Sequence, residues 1–94
     1  MRIKWLRTAL RNLDDEAEYI SRDSPTAAAK VVTEIVKAVA LLGQFPSLGR
    51  PGRVAGTREL VVSGTPYIIP YRARGDAVEI LRVFHAAPKW PERL

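Results

Sequence analysis

A proline- and glycine-dense stretch near the middle of the sequence constrains the fold more than any other feature. Residues 45–56 read FPSLGRPGRVAG, and two prolines with three glycines exclude a regular helix there. Before this stretch the apolar residues recur every three or four positions, whereas after it they concentrate in short β-rich runs. The chain therefore divides into a helical first part and a β-rich second part.

The first part predicts one short strand and two amphipathic helices. Residues 2–5 alternate polar and apolar side chains, as a strand does, and the segment 7–21 follows with helical spacing. Ser24 and Pro25 predict a second helix, because serine caps a helix N-terminus and proline suits the first helical position. Gly43 predicts a left-handed stop to that helix. We expect the two helices to form an antiparallel hairpin.

The second part predicts a three-stranded antiparallel meander. Its β-rich runs are 57–62, 66–73 and 77–85, and the two connections between them each contain a glycine. Pro70 falls inside the middle run and removes one ladder hydrogen bond, which predicts a bulge or an unpaired edge there. The sequence thus predicts an α+β fold with the order β-α-α-β-β-β, in which an N-terminal helical hairpin packs on a small antiparallel sheet.

Composition excludes several classes of protein. Ninety-four residues with 47% hydrophobic content predict a single domain, residues 1–94, and the lack of cysteine excludes disulfides and thiolate sites. With one histidine we expect neither a metal site nor a cofactor. No apolar run approaches a membrane span or a signal peptide, so we expect a cytoplasmic protein that does not contact membranes. The net charge is +5, with +4 of it in residues 50–94, which favours an acidic or polyanionic partner.

Four sequence pieces, in this order, carry a resemblance to a known family. They are FPSLGRPG at 45–52, GTRELVV at 56–62, PYIIPYR at 66–72 and VEILRVFH at 78–85, followed by Lys89-Trp90-Pro91. Together with the helix-one residues they resemble the RelE/ParE superfamily of type II toxins over nearly the whole chain. The resemblance implies a toxin that is neutralised by a cognate antitoxin in a hetero-oligomeric complex. The sequence departs from the family at Pro70, where valine is common, and at Pro88, where arginine or glutamine is usual.

The resemblance leaves two targets open, a ribosome-dependent messenger-RNA endonuclease of RelE type and a DNA gyrase inhibitor of ParE type. RNA cleavage needs a proton-transfer group and cations around one phosphate. Leu60 and Ile68 occupy positions that are basic in RelE-type enzymes, and no tyrosine follows Tyr71. The sequence therefore favours the gyrase inhibitor. A third hypothesis is a non-toxic remnant that only binds antitoxin, motivated by Pro70 and Pro88.

Candidate site residues follow from each hypothesis. Histidine changes protonation nearest to neutral pH, so a nuclease would use His85, with Arg58, Arg82 and Lys89 as cations. The plainer interpretation of His85 is that it caps a sheet edge or bonds a backbone carbonyl. Contacts to the target are predicted for Arg72, Arg74, Arg82, Lys89 and Trp90. The plainer alternatives are solvated strand charges and an indole that closes the core.

The antitoxin is predicted to be acidic and amphipathic, and to fold against the apolar surface of the helical hairpin. The predicted antitoxin contacts, all on the apolar stripes of the two helices, are Leu10, Leu13, Ala17, Val32, Ile35 and Val39.

Overall fold

The protein is described by a computed structural model over residues 1–86. The helices and strands follow one another in the predicted order, and the α+β class is confirmed. The helices are α1 (Arg7–Ser21) and α2 (Pro25–Ala40), with a 3-10 turn at Leu41–Gly43; the strands are β1 (Arg2–Trp5), β2 (Arg50–Pro51), β3 (Arg58–Val61), β4 (Tyr67–Arg74), β5 (Ala77–Ile80) and β6 (Phe84–His85).

The start of α2 follows the predicted capping chemistry. Ser24 has an extended backbone, and its side-chain oxygen accepts a hydrogen bond of 3.1 Å from the Ala27 N–H. Pro25 occupies the first turn, where its missing N–H costs nothing. The two helices pack against each other and then against one face of the sheet.

The end of α2 corrects the prediction for Gly43. The helix ends at Ala40 and tightens into the 3-10 turn, and Gly43 does not adopt a positive φ. A Cβ atom at position 43 would lie 2.8 Å from the Met1 carbonyl oxygen. Glycine is therefore required here by the close approach of Met1, the residue before β1, and not by backbone conformation.

The sheet is mixed, with the strand order β1-β5-β4-β3-β2 and β6 beside β4. The predicted meander is confirmed as β3, β4 and β5, which pair antiparallel through glycine turns at Gly64 and Gly75, both with positive φ. β1 joins the other side of β5 in parallel, with Arg2 opposite Ala77. The loop also contributes β2, which alternation alone did not predict.

The predicted third run of the meander, residues 77–85, is divided into two strands opposite Pro70, the residue at which the sequence predicted a bulge or an unpaired edge. Strand β5 ends at Ile80, and pairing with β4 resumes only at β6. The core lies between the helices and the inner face of the sheet, where Tyr71, Ile69 and Ile80 are fully buried. In the part of the chain that the structure describes, neither helix is long and apolar enough to cross a bilayer.

Candidate functional site

The loop between the helices and β3 is held in place by a buried tyrosine hydroxyl. Tyr71 accepts a hydrogen bond of 2.8 Å from the Gly49 N–H and donates one of 2.8 Å to the Pro46 carbonyl. A Cβ atom at position 49 would lie 2.7 Å from the Tyr71 ring, so only glycine allows this approach. The loop is therefore ordered against the core, and Leu48 is held at its surface.

A second anchor of the same loop is the buried carboxylate of Glu59. Its Oε1 accepts hydrogen bonds of 3.2 and 3.1 Å from Arg50 on the neighbouring strand β2. Its Oε2 accepts one of 2.9 Å from the Arg53 backbone N–H. A carboxylate that is only 3% exposed needs such partners, since a buried charge without them is strongly unfavourable.

These anchors form one wall of an apolar groove. The groove has a volume of about 620 Å³ and runs between the end of α2 and strand β3. Leu41, Leu48 and Val61 border it, and they are 49%, 51% and 53% exposed. Large apolar side chains clustered at a concave surface mark a protein-interaction site. Lys37 and Arg50 also line this groove and add positive charge, while Glu34 and the paired Glu59 contribute carboxylates.

The sequence predicted an apolar antitoxin site at the helical hairpin but not the residues of this groove, which come from the end of α2, the 3-10 turn, the loop and strand β3. None of the three exposed side chains lies on the predicted helical stripes. The only signal was that Leu48 stands in a segment of proline and glycine that cannot bury it by regular packing.

The predicted antitoxin contacts on the helical hairpin divide into two groups. Leu13, Ile35 and Val39 are buried in the core of the chain, where no partner can contact them while it is folded. The stripe prediction is corrected for these three, because the sheet already covers them. Leu10 is exposed, and Ala17 and Val32 line a shallow depression between the helices, so the prediction stands for these residues only.

Arg72 and Arg74, both on β4, lie next to one carboxylate of β5 on the side of the sheet that the helices do not cover. Arg72 Nε donates to Glu79 Oε1 at 2.8 Å, and Arg74 Nη1 lies 3.8 Å from the same oxygen. The hydrogen bond from Arg72 lowers the pKa of Glu79, against the opposing effect of burial. Lys4 is the strand partner of Glu79 from the other side. The charged row formed by Lys4, Glu79, Arg72 and Arg74 therefore carries more positive than negative charge.

Arg58 and His85, two candidate groups of a nuclease, have different surroundings. Arg58 donates to the Gly49 carbonyl at 2.9 Å and so supports the loop. His85 lies opposite Tyr67 and contacts its ring edge to face at 5.5 Å. It lines a small cleft with Asp15 and Glu16 of α1. The structure thus places His85 in a cleft that two carboxylates also line, and it places Arg58 at the loop.

Tyr67 connects this cleft to the core. Its hydroxyl donates to Glu16 Oε1 at 3.0 Å, and burial together with that carboxylate raises its pKa to about 12. Arg82 does not join the Arg72 row, since its Nη1 donates to the Leu81 carbonyl at 2.6 Å.

Three predicted residues of the C-terminal segment, Pro88, Lys89 and Trp90, lie outside the described residues. Their assignments as target contacts, or as a departure from the family, stay predictions.

Comparison with known proteins identifies relatives along most of the chain. The family model described as the ParE toxin of the type II toxin–antitoxin system parDE matches residues 3–90. The protein Y4kP of Sinorhizobium fredii is 54% identical over 93 residues, covering 99% of this chain and 96% of the relative. Toxin RelE2 of Caulobacter vibrioides is 36% identical over 85 residues, covering 90% and 94%.

A solved structure with a similar fold is a chain of the chromosomal ParDE system from P. aeruginosa. It superposes with a TM-score of 0.83 at 35% identity and covers 90% of this chain and 95% of that chain.

Proposed function

The chain belongs to the ParE family of toxins of type II toxin–antitoxin systems, and from that premise we propose that it acts in the cytoplasm, as one toxin domain, by inhibiting DNA gyrase through protein contacts. The observation that carries the proposal is the row of Arg72 and Arg74 around Glu79 on the open side of the sheet. Guanidinium groups that a carboxylate already orients lose less freedom when they bind an acidic protein surface.

The cleft around His85 supports the choice of gyrase over messenger RNA. A nuclease must hold a phosphate next to its proton-transfer group, and cations are needed there to stabilise the charged transition state. The described neighbours of His85 in its cleft include Asp15 and Glu16, which repel a phosphate. This arrangement disfavours His85 as the acid or base of an RNA-cleaving site.

The test is induction of the toxin without antitoxin, followed by a supercoiling assay with purified gyrase. We expect DNA breaks and filamentation in cells, inhibition in vitro and intact messenger RNA. Arg74→Glu, which reverses a charge on a 68% exposed side chain, should raise the inhibitory concentration about tenfold or more, since charge-assisted hydrogen bonds contribute roughly 1.5–3 kcal/mol. Arg11→Glu makes the same charge change on an exposed site of α1 and should leave inhibition unchanged.

Two outcomes would overturn this target. Messenger cleavage within minutes of induction, before any DNA damage, would identify a RelE-type endonuclease instead. Normal growth after induction of a folded toxin would identify a remnant that only binds antitoxin.

The antitoxin is an acidic amphipathic segment that occupies the groove beside β3. Its apolar side chains would cover Leu41, Leu48 and Val61, and its carboxylates would compete with Glu34 and Glu59 for Lys37 and Arg50. The product of the neighbouring small reading frame should therefore copurify with the toxin. Independent purification of the two as proteins that do not interact would contradict this assignment.

Two matched substitutions test whether the antitoxin binds at the groove or at the helical hairpin. Leu41→Asp should weaken antitoxin binding roughly 10- to 100-fold, because burial of a leucine side chain contributes about 1.5–3 kcal/mol. Leu10→Asp makes the same change on a side chain of α1 that is equally exposed, 47% against 49%. Greater weakening by Leu10→Asp would move the antitoxin to the helical hairpin.

A further inference from the structure

Strand pairing is interrupted between β5 and β6, and the interruption begins at Pro70. In an antiparallel sheet, residues of a hydrogen-bonded pair exchange two bonds, one from each N–H. The Leu81 N–H donates to the Pro70 carbonyl at 2.9 Å. The reciprocal bond cannot form, because proline has no N–H. The Leu81 carbonyl therefore lacks the donor that any other residue at position 70 would offer.

Arg82 supplies the missing donor. Its Nη1 donates to the Leu81 carbonyl at 2.6 Å, so the side chain folds back on the preceding residue. A guanidinium donor makes a stronger bond than a backbone N–H does. The guanidinium can reach the carbonyl from outside the plane of the ladder, whereas a backbone N–H must lie within it. The carbonyl is satisfied without a regular strand opposite Pro70.

The strand pairs on the two sides of Pro70 differ in register. Tyr71 lies opposite Ile80, but Ile68 lies opposite Phe84. Two residues of β4, Ile69 and Pro70, thus face three residues, 81–83, which is the pattern of a β-bulge. The backbone N–H freed at Val83 donates to Asn12 Oδ1 of α1 at 3.2 Å.

The extra residue decides which side chain reaches the helix side of the sheet. Side chains alternate along a strand, so a shift of one position exchanges the two faces. In an unbroken register Phe84 would lie opposite Tyr67. With the bulge His85 takes that place, against the Tyr67 ring and beside the cleft of α1.

We propose that Pro70 and Arg82 act as a pair that sets the register of the last strand and so places His85, rather than Phe84, beside Tyr67. Pro70 removes one hydrogen bond from the ladder, and Arg82 donates a hydrogen bond to the carbonyl that is left without its backbone donor. Arg82 is then a positioning residue, whose charge is used inside the chain, and this role is the same for either target of the toxin.

A double-mutant cycle tests the pair. The four purified proteins are the wild type, Arg82→Ala, Pro70→Val and the double variant. Arg82→Ala should lower the folding equilibrium constant about tenfold when Pro70 is present, which corresponds to about 1.4 kcal/mol, near the lower end of what a hydrogen bond from a charged donor contributes. Combined with Pro70→Val it should lower that constant less than threefold, because the backbone N–H of the introduced valine then donates to Leu81. Arg74→Ala, which lies outside the bulge, should have equal effects in both backgrounds.

Nuclear magnetic resonance reads the register directly. The wild type should show ring-to-ring NOEs between His85 and Tyr67, and Arg74→Ala should keep them. In the double variant they should be replaced by NOEs between Phe84 and Tyr67, with slow exchange of the backbone amide that Pro70→Val introduces. Unchanged His85–Tyr67 NOEs in the double variant, or equal costs of Arg82→Ala in both backgrounds, would refute the pair. If Arg82→Ala unfolds the chain, Pro70→Val must restore folding; failure to do so refutes it equally.

Discussion

Removal of the Tyr71 hydroxyl is the most informative test of how the central loop is held. Tyr71→Phe keeps the buried ring and deletes only the oxygen that accepts from Gly49 and donates to Pro46. The Gly49 N–H is buried and would lose its partner, at a cost of roughly 1–3 kcal/mol, and the Pro46 carbonyl adds a smaller loss. We expect a decrease of about 2–3 kcal/mol in the free energy of unfolding. For a domain of this length that lowers the Tm by roughly 10–20 °C.

Thermal and urea denaturation followed by circular dichroism measure the effect. Tyr19→Phe is the matched control, since it makes the same chemical change on a side chain that is 68% exposed and should alter stability by less than about 0.5 kcal/mol. Amide exchange of Gly49 should accelerate only in Tyr71→Phe. Equal stability of the two variants would show that the hydroxyl does not anchor the loop.

Three further predictions concern other contacts. The neutral phenol of Tyr67 donates to Glu16, and its raised pKa means that the folded state holds this proton more tightly; the stabilisation is complete below pH 10 and is lost as the pH rises towards 12. In urea titrations, the free energy of unfolding of Tyr67→Phe should fall by about 1–2 kcal/mol less than that of the wild type as the pH rises from 10 to 12. This figure is smaller than the full pKa shift of Tyr67 implies, because Glu16 is partly exposed to solvent. Leu13→Ala should cost about 2–4 kcal/mol of unfolding free energy and Leu10→Ala less than about 1, since only Leu13 is buried; equal costs would contradict the packing of α1. Ser24→Ala should cost about 1 kcal/mol through loss of the N-cap bond, whereas Ser24→Gly should cost only a few tenths, both measured by thermal denaturation.

Local chemistry made the elements of this fold predictable. The serine and proline at the start of α2 act through neighbouring backbone groups, so the sequence is enough to place the helix there. Glycine turns between the strands of the meander likewise follow from backbone conformation. The order of the elements and the interruption at Pro70 could be predicted for this reason.

Long-range contacts could not be predicted in the same way. Leu10 and Leu13 share one apolar stripe, but which of them is buried depends on where the sheet lies. The contact of Tyr71 with a loop 22 positions away depends on the register of β4, which helix and strand periodicities do not define. For the same reason the apolar groove, which separate segments of the chain line together, was not visible in the sequence.

The parallel pairing of β1 with β5 has a consequence for synthesis of the chain on the ribosome. The partner of Arg2 is Ala77, 75 positions later, so the first strand to leave the ribosome has no partner in the sheet until β5 has followed it. The backbone hydrogen bonds within each helix are local and can form early, whereas pairing over such a separation is slow and comes late. Glu79, which orients Arg72 and Arg74, arrives on that same strand. An incomplete chain therefore lacks the charged row proposed to bind the target until β5 has been synthesised and has paired.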